Sequence, residues 1–186
     1  MADGGPSRKS AMRETSAKLD VAVVRHDEAW RTARVTDAML AGAARAGVAA
    51  AAPTRSITCE VSILLTDEAE MRALNRKWRG KDAPTNVLSF PASDPLACDS
   101  SEPRYLGDVA LGYETIVKEA QAMGTALSDH VAHLVVHGVL HLLGFDHMKE
   151  DEAERMETLE RRALASLGIA DPYADRSEIR TTEVSS

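Results

Sequence analysis

The segment from about Ser128 to Leu143 constrains this chain more than any other. It is largely apolar, yet it carries His137 and His141 four residues apart and is halted by Gly144, with His147 three residues beyond. An apolar run of that length with a glycine stop reads as a buried helix, around which other elements must pack. Histidines at that spacing stack on one helical face about 6 Å apart and can converge on one ion. Gly144 enters left-handed backbone freely, so the chain can leave the helix sharply and return His147 to the same point. The expectation is a three-histidine metal site made of His137, His141 and His147.

Three neutral imidazoles suit one Zn²⁺ better than Mg²⁺ or Ca²⁺, which prefer oxygen ligands, although Ni²⁺, Co²⁺ and Cu²⁺ also bind such a set. Without an anionic ligand the ion keeps its full charge, and an open fourth position could lower a water pKa to roughly 7. An isolated His pair would more often be two helix histidines satisfied by hydrogen bonds. The third, after a helix-ending glycine in an apolar stretch, has no packing reason. His130 and His133 lie on nearby faces of the same helix, where packing explains them as well as ligation does, and neither is taken as a ligand.

Around this helix the sequence predicts an α+β chain, a single domain with one small mixed β-sheet of about four strands packed with about five helices. Ile57, Cys59, Val61, Ile63 and Leu65 alternate with polar residues in the period of a half-buried strand. Shorter strands are expected over 19–24, 86–90 and 105–111. An Ala-rich helix is expected from about Glu28 to Val48, with Pro53 closing that unit. Thr66 is placed to cap the next helix, whose inner stripe would be Met71, Leu74 and Trp78 and whose end is Gly80. Another helix follows over 113–123. Asp151 and Glu154 have capping-box spacing at the head of a last helix carrying Met156, Leu159, Ala163 and Leu167 and ending at Gly168. Residues 1–18 and 174–186 read as mobile tails flanking the domain at 19–173, and 92–103 reads as an exposed loop.

The 186 residues suffice for one core, and the 4% aromatic content makes that core aliphatic. No run of 18 apolar residues exists, and Lys9 and Arg13 are followed by no apolar stretch, so neither a membrane span nor Sec-type export is expected. Cys59 and Cys98 make no disulfide framework and have no zinc-ligand spacing, which fits a reducing cytoplasm. A net charge of -7 opposes long-range attraction to a polyanion, so a nucleic-acid partner needs a local basic patch. Arg72, Arg76, Lys77, Arg79 and Lys81, with Trp78 among them, form one, whereas 149–162 carries six carboxylates against four cations.

The spacing from His137 to His147 is also that of metzincin proteases, which place a glutamate base directly after the first histidine. Here that position is Gly138. Peptide hydrolysis would lose a base worth typically 10²- to 10⁴-fold.

Taken with two further blocks, the motif His137-Gly138-x-Leu140-His141-Leu142-x-Gly144-x-Asp146-His147 resembles the signature of the YbeY family, bacterial endoribonucleases of ribosomal RNA maturation. The other blocks are Arg79-Gly80-Lys81-Asp82 with Pro84-Thr85-Asn86-Val87-Leu88-Ser89-Phe90-Pro91, and Leu106-Gly107-Asp108. The resemblance covers roughly residues 20 to 173. It implies one small-sheet α+β domain, a zinc on His137, His141 and His147, and cleavage of single-stranded RNA. The implied setting is 16S rRNA 3′-end maturation and ribosome quality control. Its partners would be the 16S rRNA precursor and the small ribosomal subunit, with no DNA and no membrane.

The family's important arginine maps onto Arg79. Phosphodiester cleavage builds negative charge that a two-donor guanidinium and a Lewis-acid zinc can stabilise without a protease-type base. As a residue at a helix end, Arg79 is equally a solvated cation favoured by the dipole. With the surrounding cations Trp78 offers a stacking surface for single-stranded RNA, but at helical spacing it reads as core and is left out of the site. Asp146 could orient a ligand imidazole or cap the turn after Gly144, and Asp108 has no readable partner. The reading is a zinc ribonuclease, with two alternatives of other classes: a metzincin-like metalloprotease lacking its glutamate, and a non-catalytic RNA-binding assembly factor with a structural zinc. The last would usually show a fourth protein ligand.

Overall fold

The computed structural model describes residues 18–51, 58–92 and 103–174. Residues 1–17 and 175–186 of the expected tails, Pro53, Cys98 and most of the 92–103 loop therefore lie outside the described residues, while Lys18 already belongs to the first strand. The alternating segment forms a nine-residue strand at the centre of the sheet. In chain order the elements are β1 (Lys18–Arg25), α1 (Ala29–Thr32), α2 (Asp37–Ala51), β2 (Thr58–Thr66), α3 (Glu68–Arg79), β3 (Val87–Pro91), β4 (Arg104–Gly112), α4 (Tyr113–Met123), α5 (Leu127–Leu142) and α6 (Glu150–Ser166). The strand order is β1-β2-β4-β3, with β1/β2 and β2/β4 parallel and β3/β4 antiparallel. The sheet is mixed, as expected.

Strand parity sorts the two faces. Val61, Ile63 and Leu65 of β2 join Val109 and Leu111 of β4 in the main core, together with the buried sides of α2, α5 and α6. Ala110 of β4 and Leu88 of β3 point the other way and pack with Met71 of α3, flanked by Leu64, Leu74 and Phe90. Helix α5 contacts α2, α4, α6 and both β3 and β4, which makes it the buried centre that its apolar sequence demands. No helix among the described residues is long and apolar enough to cross a membrane.

Four local expectations are corrected. The Ala-rich stretch is two helices, because Arg34 adopts φ 58° and Thr36 Oγ1 then accepts from the Met39 N–H at 3.2 Å to start α2. The short α1 brings the helices among the described residues to six. The cap of α3 is Asp67, whose Oδ1 accepts from the Glu70 N–H at 2.8 Å. Thr66 is instead the last residue of β2, paired in register with Gly112, and its hydroxyl donates to Glu70. On α3 the buried positions are Met71 and Asn75, while Trp78 is 61% exposed, its ring 5.7 Å edge-on from that of Phe90. Helix α6 starts at Glu150 with Lys149 at the cap position and no side-chain capping bond, so Asp151 and Glu154 lie within the helix and form no capping box.

Candidate metal centre

Helix α5 delivers His137 and His141 from its last two turns, and a glycine-terminated cap delivers His147. The Gly144 N–H donates to the His141 carbonyl at 3.0 Å and the Phe145 N–H to the Leu140 carbonyl at 3.1 Å, with Gly144 at φ 88°. These are the paired bonds of a Schellman ending, which reverses the chain within two residues. Asp146 Oδ1 then accepts from the His147 N–H at 2.8 Å, so Asp146 holds the turn.

The three imidazoles meet. One ligand atom from each of His137, His141 and His147 lies within 4.8 Å of the others. The Nε2 atoms of His137 and His141 are 3.1 Å apart. Two nitrogens on a tetrahedral zinc, each at about 2.05 Å, stand about 3.3 Å from one another, so the spacing suits such an ion. His137 and His141 are half-buried and His147 is exposed, so the group opens to solvent on one side.

The protonation states fit a cation as well. Burial, and then the charges that His137 and His147 would carry, push His141 down to about 4, which keeps it neutral at physiological pH. A neutral imidazole is the ligating form. Glu160 of α6 is only 1% exposed; burial alone would raise its carboxyl, but hydrogen bonds from His133, His137 and Tyr173 outweigh it and hold the group at about 2. An ionised carboxylate only accepts. His137 therefore donates from Nδ1 to Glu160 Oε1 at 2.6 Å, which leaves its Nε2 lone pair facing His141.

Gly138 packs against the sheet. A Cβ there would sit 2.7 Å from Val109 Cγ1 and 3.1 Å from Ser89 Oγ, and the Ser89 hydroxyl donates to the Gly138 carbonyl at 3.1 Å. The position of the metzincin glutamate is thus pressed against the sheet, where a side chain forces its neighbours to move.

Arg79 is the last residue of α3 and exposed, and its side chain shares no hydrogen bond or ion pair with the described residues. The residues around it are spent on holding their own loop. Arg72 grips Asp82 through two bonds of 2.8 Å, Asn75 Nδ2 donates to the Ala83 carbonyl at 2.7 Å, and Asn86 Nδ2 donates to Glu119 at 3.0 and 3.1 Å. Strand β3 links this loop to the histidines, since Phe90 meets Trp78 while Ser89 bonds to Gly138.

The remaining candidates have structural partners. His130 donates to Glu119 at 2.8 Å, His133 donates to Glu160 at 3.3 Å, and Asp108 accepts from the Tyr105 hydroxyl at 2.6 Å. Two features escaped the sequence reading. Trp78 is a surface ring, and Glu160 is a buried carboxylate behind the metal group. The signal for Glu160 was its position four residues after Met156 and three before Ala163, on the apolar face of an otherwise acidic helix.

Comparison with known proteins points one way. The family model described as Endoribonuclease YbeY matches residues 26–168. The chain is 57% identical over 131 residues to the Endoribonuclease YbeY of Chelativorans sp. (strain BNC1), covering 70% of this chain and 80% of that protein. It is 56% identical over 146 residues to the namesake of Rhodospirillum rubrum, covering 77% and 72%. To that of Azorhizobium caulinodans it is 47% identical over 156 residues, covering 84% and 97%.

Proposed function

The chain belongs to the YbeY endoribonuclease family, and from that membership we propose that it is a zinc enzyme cutting single-stranded RNA beside its three histidines. The observation that carries this reading is the convergence of three imidazoles within 4.8 Å, open to solvent through His147 and without a neighbouring carboxylate base at Gly138. Three protein ligands with an exposed side are the pattern of a catalytic zinc, whereas a structural zinc is usually closed by four. The zinc would be held by His137, His141 and His147, and when bound it would supply Lewis-acid stabilisation of charge on a phosphoryl oxygen.

The chain's own groups do the rest. Arg79 presents a planar two-donor fork that is not committed to any acidic side chain among the described residues, and it can grip a non-bridging phosphate oxygen as charge builds there. Arg76, Lys77 and Lys81 extend a cationic track along the end of α3, which a chain of net charge -7 needs for a polyanionic substrate. Trp78, half capped by Lys77 Nζ at 5.0 Å from its ring centre, offers a face for an unstacked base, and unstacked bases belong to single strands. The substrate we assign is the 16S rRNA precursor near its 3′ end on the small subunit, in the cytoplasm, as the family resemblance implies. Single-turnover cleavage of a labelled single-stranded RNA, compared with the same RNA annealed to a complement, tests the assignment. Equal rates on both would overturn the single-strand reading.

A further inference from the structure

We propose that Glu160 is a positioning residue of the metal centre: from inside the core it fixes which nitrogen of His137 faces the ion, and it is itself braced by His133 and Tyr173. The inference rests on reading the three histidines as metal ligands. Glu160 reaches the back of the site from a different helix, α6, and its side chain is 1% exposed. Among the described residues its ion-pair partners are His137 and His133, neither of them a lysine or arginine. Three donors converge on its two oxygens: His137 Nδ1 on Oε1 at 2.6 Å, His133 Nε2 on Oε2 at 3.3 Å, and the Tyr173 hydroxyl on Oε2.

For the fold alone this is a poor use of a core position, because an apolar side chain of similar volume would avoid the desolvation of a carboxylate. For a metal centre it has a specific use. Neutral imidazole carries one proton, and placing that proton on Nδ1 by a short bond to an acceptor-only group leaves Nε2 as the lone-pair nitrogen. That nitrogen is the one 3.1 Å from His141 Nε2. The carboxylate also increases the basicity of the imidazole and supplies the negative charge that three neutral ligands lack. Tyr173, at the end of the described chain, and His133 on the preceding turn of α5 hold the other oxygen and so set the carboxylate's rotation. On this account His133 is a brace of the site, neither a ligand nor an idle core histidine.

The test uses the full chain. Zinc affinity is measured by competition with a chromophoric chelator for wild type, Glu160→Gln, Tyr173→Phe and His141→Ala. Thermal unfolding of the metal-free proteins is followed in excess chelator, and the His137 tautomer is read from imidazole ¹⁵N shifts of the metal-free wild type. The expected results are an Nδ1–H tautomer at His137, a loss of about 10- to 100-fold in zinc affinity for Glu160→Gln with cooperative metal-free unfolding retained, and a smaller loss for Tyr173→Phe. Wild-type affinity in Glu160→Gln, or an Nε2–H tautomer in the wild type, overturns the inference. If Glu160→Gln does not fold, the wild-type tautomer and the Tyr173→Phe affinity decide. Zinc retained by His141→Ala would instead overturn the underlying ligand assignment, so the two failures are distinguishable.

Discussion

Replacing Gly138 by alanine tests how closely α5 is pressed against the sheet. The new Cβ would lie 2.7 Å from Val109 Cγ1, where ordinary carbon contacts begin at about 3.5 Å, so close to 1 Å must be found. Val109 is fully buried and β-branched, so its methyl cannot swing aside, and Ser89 Oγ, 3.1 Å away, is tied to the Gly138 carbonyl. Overpacking of this kind costs about 1–3 kcal/mol, against a gain of about 1 kcal/mol for alanine over glycine in a helix. Gly42, in α2, has nothing within 4 Å of its added Cβ and isolates the gain. The expected outcome is that Gly42→Ala stabilises by up to about 1 kcal/mol while Gly138→Ala gains nothing and destabilises by up to about 2 kcal/mol. For a chain of this size that is a fall of up to roughly 8 °C in Tm. Thermal and urea unfolding of both variants, with zinc content recorded, provides the comparison. Equal stabilisation by the two substitutions would refute the claim that residue 138 has no room for a side chain, and with it the geometric case against a protease.

Arg79→Ala should lower the single-turnover rate at saturating RNA while leaving zinc content and thermal stability near wild type. Lysine should restore little of that rate because an ammonium lacks the two-donor fork, and full rescue by lysine would make Arg79 a simple electrostatic contact. Trp78→Ala should weaken binding of a short single-stranded RNA by about 1–3 kcal/mol with little change in Tm, as measured by fluorescence anisotropy and thermal unfolding; unchanged affinity would return Trp78 to the inert surface. Burial raises the Glu70 carboxyl, but hydrogen bonds from Thr66 and His26 outweigh it and leave it below its ordinary 4.5. Its contribution is therefore present above that value and lost as pH falls through the depressed one. The stability difference between wild type and Thr66→Val in urea unfolding should shrink below about pH 4.5, and a difference constant down to pH 3 would exclude the linkage.

What the sequence made legible was whatever a single local pattern decides. Helix α5 and strand β2 each carry one unmixed period, and their boundaries fall within a residue or so of those expected. The three histidines span eleven residues, so local geometry alone brings them together. The break between α1 and α2 was hidden because alanine propensity runs through it and Arg34, at positive φ, gives no glycine signal. Thr66 and Asp67 are both good caps, and pairing of Thr66 with Gly112 across the sheet decided between them. Glu160 was concealed among the carboxylates of α6, where its spacing from Met156 and Ala163 was a faint signal that the packing of α6 on α5 makes plain. Trp78 continues the helical stripe of Met71 and Leu74, and only the packed structure shows its ring exposed, edge-on to Phe90.

The central claim is that the three histidines hold the ion on which RNA cleavage depends. Zinc content and single-turnover cleavage of a labelled single-stranded RNA, measured on the same preparations of wild type and His141→Ala, test it most directly. The expected result is about one zinc per chain and cleavage in the wild type, with both lost in a His141→Ala protein that still unfolds cooperatively. Cleavage at the wild-type rate by zinc-free His141→Ala would contradict the claim.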